Sequence, residues 1–334
     1  MVDILRAEGV TKQYPAGRRG RFGPRLTVSA VDGVDLSLVS GECLALVGES
    51  GSGKSTLAAL VTRLESSTEG TVLLDGAPIV SSRRSDLAFR RSVQVVLQDP
   101  YSSLNPRMTI EAILREPLDI HRGLLPRAMW RNRAVELLHL VGLSEDHLGR
   151  YPHEFSGGQL QRISIARALA VGPRVLVLDE PLSALDVSVQ AQIVLLLKDL
   201  QRRLGLSFLF ISHDLAVVRN LADRVAVMYL GRVIEQGRTE DVFTSPRHPY
   251  TKALLSSSPS PDPRLRDRPD RIVLQGDVPS PIDPPSGCAF RTRCWRAVEA
   301  CAVVAPALLP TSTTSREVAC YRPIESDEAD EAAE

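Results

Sequence analysis

Lysine is nearly absent from this chain of 334 residues: positions 12, 54, 198 and 252 hold the only four, and every other basic residue is arginine. GC-rich coding accounts for that bias without any chemistry. Net charge is missing too, with 40 basic residues balancing 40 acidic ones. A general nucleic-acid binder carries a basic excess, so that class is disfavoured. Aromatics make up only 4% against 43% apolar residues in all, so the core must be mostly Leu, Val, Ile and Ala. No apolar run approaches the ~20 residues that span a bilayer; VLVL and IVLLL are typical of the longest. The opening MVDILRAEGV has charges at Asp3, Arg6 and Glu8, which leave no room for a signal peptide's apolar stretch. The chain reads as soluble and cytosolic, where disulfides are the less common use of cysteine.

What is present is an alternation. Up to about residue 250, β-like and helix-like segments follow one another, the pattern of an α/β fold. VQVVL, VLVLDE and LSFLFIS have the length and composition of buried strands. Between Gln98 and Ser156 the texture changes to helical spacing, as in RAMWRNRAVELLHLVGL, which predicts a helical insert over about 100–165. MYLGRVIEQG predicts a hairpin with glycine at its turn. The Arg- and Gly-rich loop near 16–25 reads as a solvated insertion. A domain boundary is expected near 250, a Pro- and Cys-bearing extension over 251–324 that opens with a Ser/Pro-rich linker, and a disordered acidic tail over 325–334.

The stretch GESGSGKS, residues 48–55, follows an apolar strand and opens a helix. Gly48, Gly51 and Gly53 let the backbone curl so that successive N–H groups face one anion, and the helix start adds its positive dipole end. Lys54 supplies a point charge for the β- and γ-phosphates, and Ser55 a hydroxyl for Mg²⁺. The nucleotide-binding set is therefore Gly48, Glu49, Ser50, Gly51, Ser52, Gly53, Lys54, Ser55 and Thr56. RVLVLDEP ends a second apolar strand in two carboxylates: Asp179 to hold Mg²⁺ through water, Glu180 to polarise the attacking water. No N-K-x-D guanine motif occurs, so ATP is expected rather than GTP. FSGGQLQR puts Ser156, Gly157, Gly158 and Gln159 at a helix start, which serves as an N-cap or as a second anion site.

In these motifs and their order the sequence resembles the ATP-binding subunits of ABC transporters, over roughly residues 3–325: a P-loop NTPase fold with a mixed sheet, a helical subdomain and a C-terminal extension. GESGSGKS looks like the Walker A loop, LVLDE the Walker B strand and FSGGQ the signature. The resemblance implies that Tyr14 stacks on adenine, that Gln98 is the Q-loop residue and joins Ser55 and Asp179 at Mg²⁺, that Asp186 is the D-loop acid and that His213 contacts the γ-phosphate. It implies two cassettes paired head to tail, each ATP held between one chain's Walker A and the other's signature. QDPYSSLNPRMTI, HEFSGGQ, SALDVSVQ, HPYTKALL and GCAFRTRCW are similar to the dipeptide/oligopeptide importers. That branch implies a peripheral protein at the cytoplasmic face of the membrane, two permease subunits, a second and non-identical ATPase, and an extracytoplasmic peptide-binding protein. Import of nickel or another small solute is the alternative. A soluble ABC ATPase acting on DNA or the ribosome is less favoured, because such proteins typically carry a long coiled-coil insert or two fused cassettes.

Four of the five cysteines lie near the end: Cys288, Cys294, Cys301 and Cys320, separated by five, six and eighteen residues. None has the short C-x-x-C spacing of common zinc ribbons. TRCWRAVEAC reads as helical, with Cys294 and Cys301 two turns apart on one face and the other two reaching in from flanking loops. Four convergent thiolates suit zinc or an iron–sulfur cluster, with Arg291, Arg293 and Arg296 offsetting their charge; unligated thiols and disulfides stay open. The resemblance tips the reading to a [4Fe–4S] cluster, although Trp295 stands where that branch's motif commonly has proline. Cys43 reads as a small core residue.

Overall fold

The computed structural model describes residues 3–18, 25–79, 83–257, 272–311 and 316–325. Most of the Arg-rich loop, the Ser/Pro-rich linker from 258 to 271 and the acidic tail beyond Glu325 lie outside the described residues.

Two compact units divide the chain. The first gathers Met1–Arg6, Ser37–Cys43 and Leu73–Ser212. Three parallel strands form its centre, with Val175–Asp179 between Val93–Val96 and Ser207–Ile211. The last of these, SFLFI, is buried at every position, and VLVLD is buried up to its terminal Asp179. Parallel strands covered on both faces read as unbroken apolar runs, which is why periodicity alone did not mark them. Among the described residues, every element between Gln98 and Ser156 is helical. Thr109 caps the helix Ile110–Ile120, accepting a hydrogen bond from the Ala112 N–H at 3.4 Å. Its Ile110, Ile113, Leu114 and Leu118 recur at helical spacing and are buried. They face the helices Trp130–Leu140 and Gly157–Leu169. Each such side chain contributes about 1.5–3 kcal/mol of burial.

The second unit comprises Ala7–Leu36, Leu44–Val72 and His213–Glu334. Residues 44–47 pair in parallel with 224–227. Arg224–Tyr229 and Arg232–Arg238 form the expected hairpin, but its turn uses Leu230 as well as Gly231, both at positive φ (41° and 83°). Two positive φ values make a two-residue turn of the kind that matches strand twist. The end of the chain adds further strands: Glu317–Val318 pairs with Arg232–Arg238, and Leu309–Pro310 pairs with Glu317–Val318.

Glu235 is fully buried at that junction. It accepts hydrogen bonds from the Arg247 and His248 N–H groups at 2.8 and 2.9 Å and lies 3.4 Å from Arg316. Burial still pushes its carboxyl pKa up, outweighing these contacts. No helix among the described residues is long and apolar enough to cross a membrane.

Candidate nucleotide site and cysteine cavity

Within the second unit the phosphate loop is held by contacts that only glycine permits. A Cβ on Gly48 (φ 153°) would lie 2.2 Å from the Met228 carbonyl oxygen, and one on Gly53 (φ 103°) would lie 2.1 Å from that of Ala30. The Gly231 N–H donates to the Ser52 carbonyl at 2.9 Å, joining the hairpin turn to the loop. Lys54, 5% exposed, reaches back through its Nζ to the carbonyls of Gly48 (2.8 Å) and Glu49 (2.9 Å) and to Ser52 Oγ (3.3 Å). Helix Lys54–Val61 starts there with no acidic residue in its first turn, so its dipole end is open to an anion. Ser50, Gly51 and Ser55 are exposed around it.

Tyr14 belongs to the same unit. Its hydroxyl donates to Glu65, the Thr56 side chain is a further partner, and Lys12 Nζ sits 5.1 Å from its ring centroid. Slight burial and the Glu65 carboxylate push its pKa up. Tyr14 is thus brought beside the phosphate-loop helix, with its ring only half-buried.

The HPY triplet has a local reason. His248 Nδ1 accepts the Tyr250 N–H at 3.0 Å and so caps the helix Pro249–Ser256, which Pro249 opens. Burial lowers the His248 pKa to about 3, keeping the ring neutral and Nδ1 an acceptor. The Tyr250 hydroxyl then accepts the Glu49 N–H at 2.8 Å. Nothing local in the sequence pointed from Tyr250 to Glu49. His213 is exposed in this unit, next to Asp214, which caps Leu215–Leu221.

The first unit holds the other motifs. Asp179 closes its strand half-buried, and Glu180 follows at φ 46°, a left-handed backbone that costs a non-glycine residue about 1–3 kcal/mol. Gln98 Nε2 donates to Glu180 Oε2 at 3.3 Å. Ser156 is the N-cap of Gly157–Leu169, in a reciprocal pair with Gln159: its N–H donates to Gln159 Oε1 at 3.0 Å, and its Oγ accepts the Gln159 N–H at 3.4 Å. That helix also has no acid in its first turn. Close packing explains Gly158, where a Cβ would meet Val189 at 2.5 Å. Asp186 is exposed at the start of Val187–Leu204.

In the second unit Cys288, Cys294, Cys301 and Cys320 line one small cavity with His248, Pro249 and Phe290. None is in a disulfide. The expected helix through TRCWRAVEAC does not form: only Ala300–Val303 is helical, and 291–298 is a chain of turns. Hydrogen bonds from Arg291 to the Cys288 carbonyl, Arg293 to that of Phe290 and Ala297 to that of Cys294 close these turns. The seven-residue spacing imitated a helix, whereas the cysteines converge because the Cys288 N–H donates to the Cys301 carbonyl at 2.8 Å. Gly287 permits that approach, since a Cβ there would lie 2.3 Å from the same oxygen. Burial raises the pKa of Cys288 and Cys294, and that of Cys320 to about 11. Of the three arginines, Arg296 lies beside Cys294, but Arg291 binds the Ser286 carbonyl and Arg293 turns to Glu49. Among the described residues no group of three or more His, Cys, Asp or Glu can hold a metal ion. Cys43 is fully buried, as a core residue should be.

Residues 31–183 match the ABC transporter family, and residues 234–301 match the oligopeptide/dipeptide transporter C-terminal region. The chain is 50% identical to the dipeptide transport ATP-binding protein DppF of Haemophilus influenzae, over 95% of this chain and 96% of that one. It is 47% identical to DppF of Escherichia coli, over 97% and 96%. Among solved structures, the ATP-binding cassette MJ0796, a dimer in a post-hydrolysis state with ADP and Pi, aligns at TM-score 0.62 and 31% identity, covering 70% of this chain and 98% of that one. The chain belongs to the ATP-hydrolysing, ATP-binding subunits of ABC transporters, in the branch that carries the oligopeptide/dipeptide transporter C-terminal region.

Proposed function

We propose that this chain powers the import of dipeptides or oligopeptides from the cytoplasmic face of the cell membrane. The observation that carries the reading is near-full-length similarity to dipeptide transport ATP-binding proteins, C-terminal region included. Its partners are then two permeases, an extracytoplasmic peptide-binding protein and a second, non-identical ATPase. Each ATP lies between Walker A of one cassette and the signature of the other. ATP bound more tightly to the closed pair drives closure, and hydrolysis releases it.

The roles follow the chemistry of the side chains. Residues 48–56 hold the phosphates and Tyr14 the adenine. Ser156, Gly157, Gly158, Gln159 and Asp186 face the partner's nucleotide, Glu180 is the base and His213 contacts the γ-phosphate. Ser55, Asp179 and Gln98 offer hydroxyl, carboxylate and amide oxygens, the hard donors Mg²⁺ takes. Gln98 spends its amide nitrogen on Glu180, so its oxygen faces elsewhere.

Reconstituted with its permeases and second ATPase in vesicles, the complex is expected to hydrolyse ATP faster when the binding protein carries a di- or oligopeptide. Stimulation by nickel and not by peptide would move the substrate to the alternative class. Failure to co-purify with membrane subunits would sink the transport reading.

We further propose that the four C-terminal cysteines hold a [4Fe–4S] cluster, whose usual donors are cysteine thiolates. Four cysteines share a cavity whose other walls include Phe290 and Pro249. A single zinc at about 2.3 Å from each sulfur needs tightly convergent thiolates, a convergence the described residues lack. A cluster of this kind is held by four cysteine thiolates, one to each iron. When bound, it would cross-link turns that have little core of their own. Anaerobically purified protein is expected to contain about four irons with matching sulfide, lost in Cys294→Ser with Cys301→Ser. Iron-free protein with intact ATP binding would make these cysteines packing residues.

A further inference from the structure

The second residue of the phosphate loop is a glutamate, which is electrostatically the wrong charge for a loop that takes polyphosphate. The C-terminal segment answers that charge. Arg293 sits in the cysteine-bearing turns, 244 residues away in sequence, and donates through Nη1 to Glu49 Oε2 at 2.9 Å and through Nη2 to Oε1 at 3.4 Å. This is a forked, charge-assisted contact. Surface pairs contribute little because water screens them, but here the arginine side chain is 8% exposed and the glutamate 28%. The Tyr229 hydroxyl touches the same guanidinium at 3.5 Å and helps hold it.

The rest of Glu49 is fixed as firmly. Its N–H donates to the Tyr250 hydroxyl, and its carbonyl accepts from Lys54. Tyr250 is fully buried among Tyr229 and Phe290, at ring distances of 4.7 and 5.4 Å. Phe290 and Arg293 both come from the cysteine turns, so one short segment packs the tyrosine that holds the loop's backbone and supplies the cation that holds its side chain.

We propose that Arg293 is a positioning residue of the ATP site: it neutralises Glu49, holds it away from the nucleotide and so sets the loop's affinity for MgATP. The proposal rests on the reading that residues 48–55 hold the phosphates. It makes the C-terminal segment a part of the ATP site. Without Arg293, Glu49 becomes an uncompensated anion in the loop, and MgATP must bind against it.

The test is MgATP affinity of the full-length chain by titration calorimetry, with a melting temperature for each variant. Arg293→Ala is expected to weaken binding about tenfold. Adding Glu49→Gln to Arg293→Ala should restore affinity to within about threefold of the parent, because the charge that opposes ATP has gone. Unchanged affinity in Arg293→Ala overturns the proposal. So does a defect that persists undiminished in the double variant, which would mark a structural role only. Should Arg293→Ala not fold, Arg293→Gln decides, since it keeps much of the side chain and removes the charge: a loss of affinity near tenfold supports the proposal, and affinity equal to the parent overturns it. Lys54→Ala separates the two layers. If it binds MgATP as tightly as the parent, the phosphate-loop reading falls and the proposal with it, whereas a failure at Arg293 alone leaves that reading standing.

Discussion

Glu180→Gln is expected to lower ATP turnover at least a hundredfold while the protein still binds MgATP, because a positioned general base contributes about 10²–10⁴ in rate. The substitution keeps the shape of the side chain and an oxygen that can accept the Gln98 hydrogen bond, and removes only the basicity. The backbone supports this assignment. The buried strand VLVLD ends at Asp179, and Glu180 directly after it takes a left-handed φ of 46°. Its N–H donates to the Ile211 carbonyl of the neighbouring strand at 3.0 Å. A non-glycine residue held in that conformation carries strain that the surrounding structure must offset, and such residues cluster at functional sites. The variant should also accumulate an ATP-bound dimer, since closure no longer ends in hydrolysis. Single-turnover hydrolysis and ATP-dependent elution on a sizing column measure the two effects. Turnover within threefold of the parent would remove Glu180 from the base role.

What was legible in the sequence had a strict local geometry behind it. Gly48, Gly51 and Gly53 take positive φ (153°, 77° and 103°), a local backbone geometry that favours glycine. Their spacing therefore shows in the letters before any contact is known. The central strands were legible as apolar runs, and the helical insert as a run of helical spacing without strands. The failures share one physical cause, which is that long-range contacts leave no local period. Cys294 and Cys301 are seven apart, the spacing of a helix, yet they are joined through turns and a backbone bond between Cys288 and Cys301. Arg293 read as a counter-charge for thiolates and instead meets Glu49. Glu235 was not singled out at all. In RVIEQG a charged residue reads as solvent-facing, but the hairpin register shifts between Val233 and Glu235, and Val233, Ile234 and Glu235 are all buried.

That buried carboxylate underlies the second large effect. Glu235→Ala is expected to destabilise the protein by about 3–5 kcal/mol, the cost of breaking a buried charged network from one side. Removal leaves the Arg247 and His248 N–H groups without their acceptor and takes the carboxylate from Arg316, itself 5% exposed, which among the described residues keeps only the neutral Ser245 carbonyl. Glu235→Gln should cost clearly less, because an amide oxygen can still accept one of those N–H groups and the desolvated charge has gone. Chemical denaturation midpoints order the three proteins; a loss below about 1 kcal/mol in the alanine variant would mean that water replaces the carboxylate. The effect should also reach the nucleotide. Glu235 anchors the residue that caps the helix Pro249–Ser256, and that helix carries the Tyr250 hydroxyl to the Glu49 N–H. In the alanine variant MgATP affinity should therefore fall even at temperatures where the fold persists. If affinity stays at the parent value while stability drops, Glu235 serves the junction of the C-terminal strands alone, and Tyr250 reaches Glu49 by its own aromatic packing.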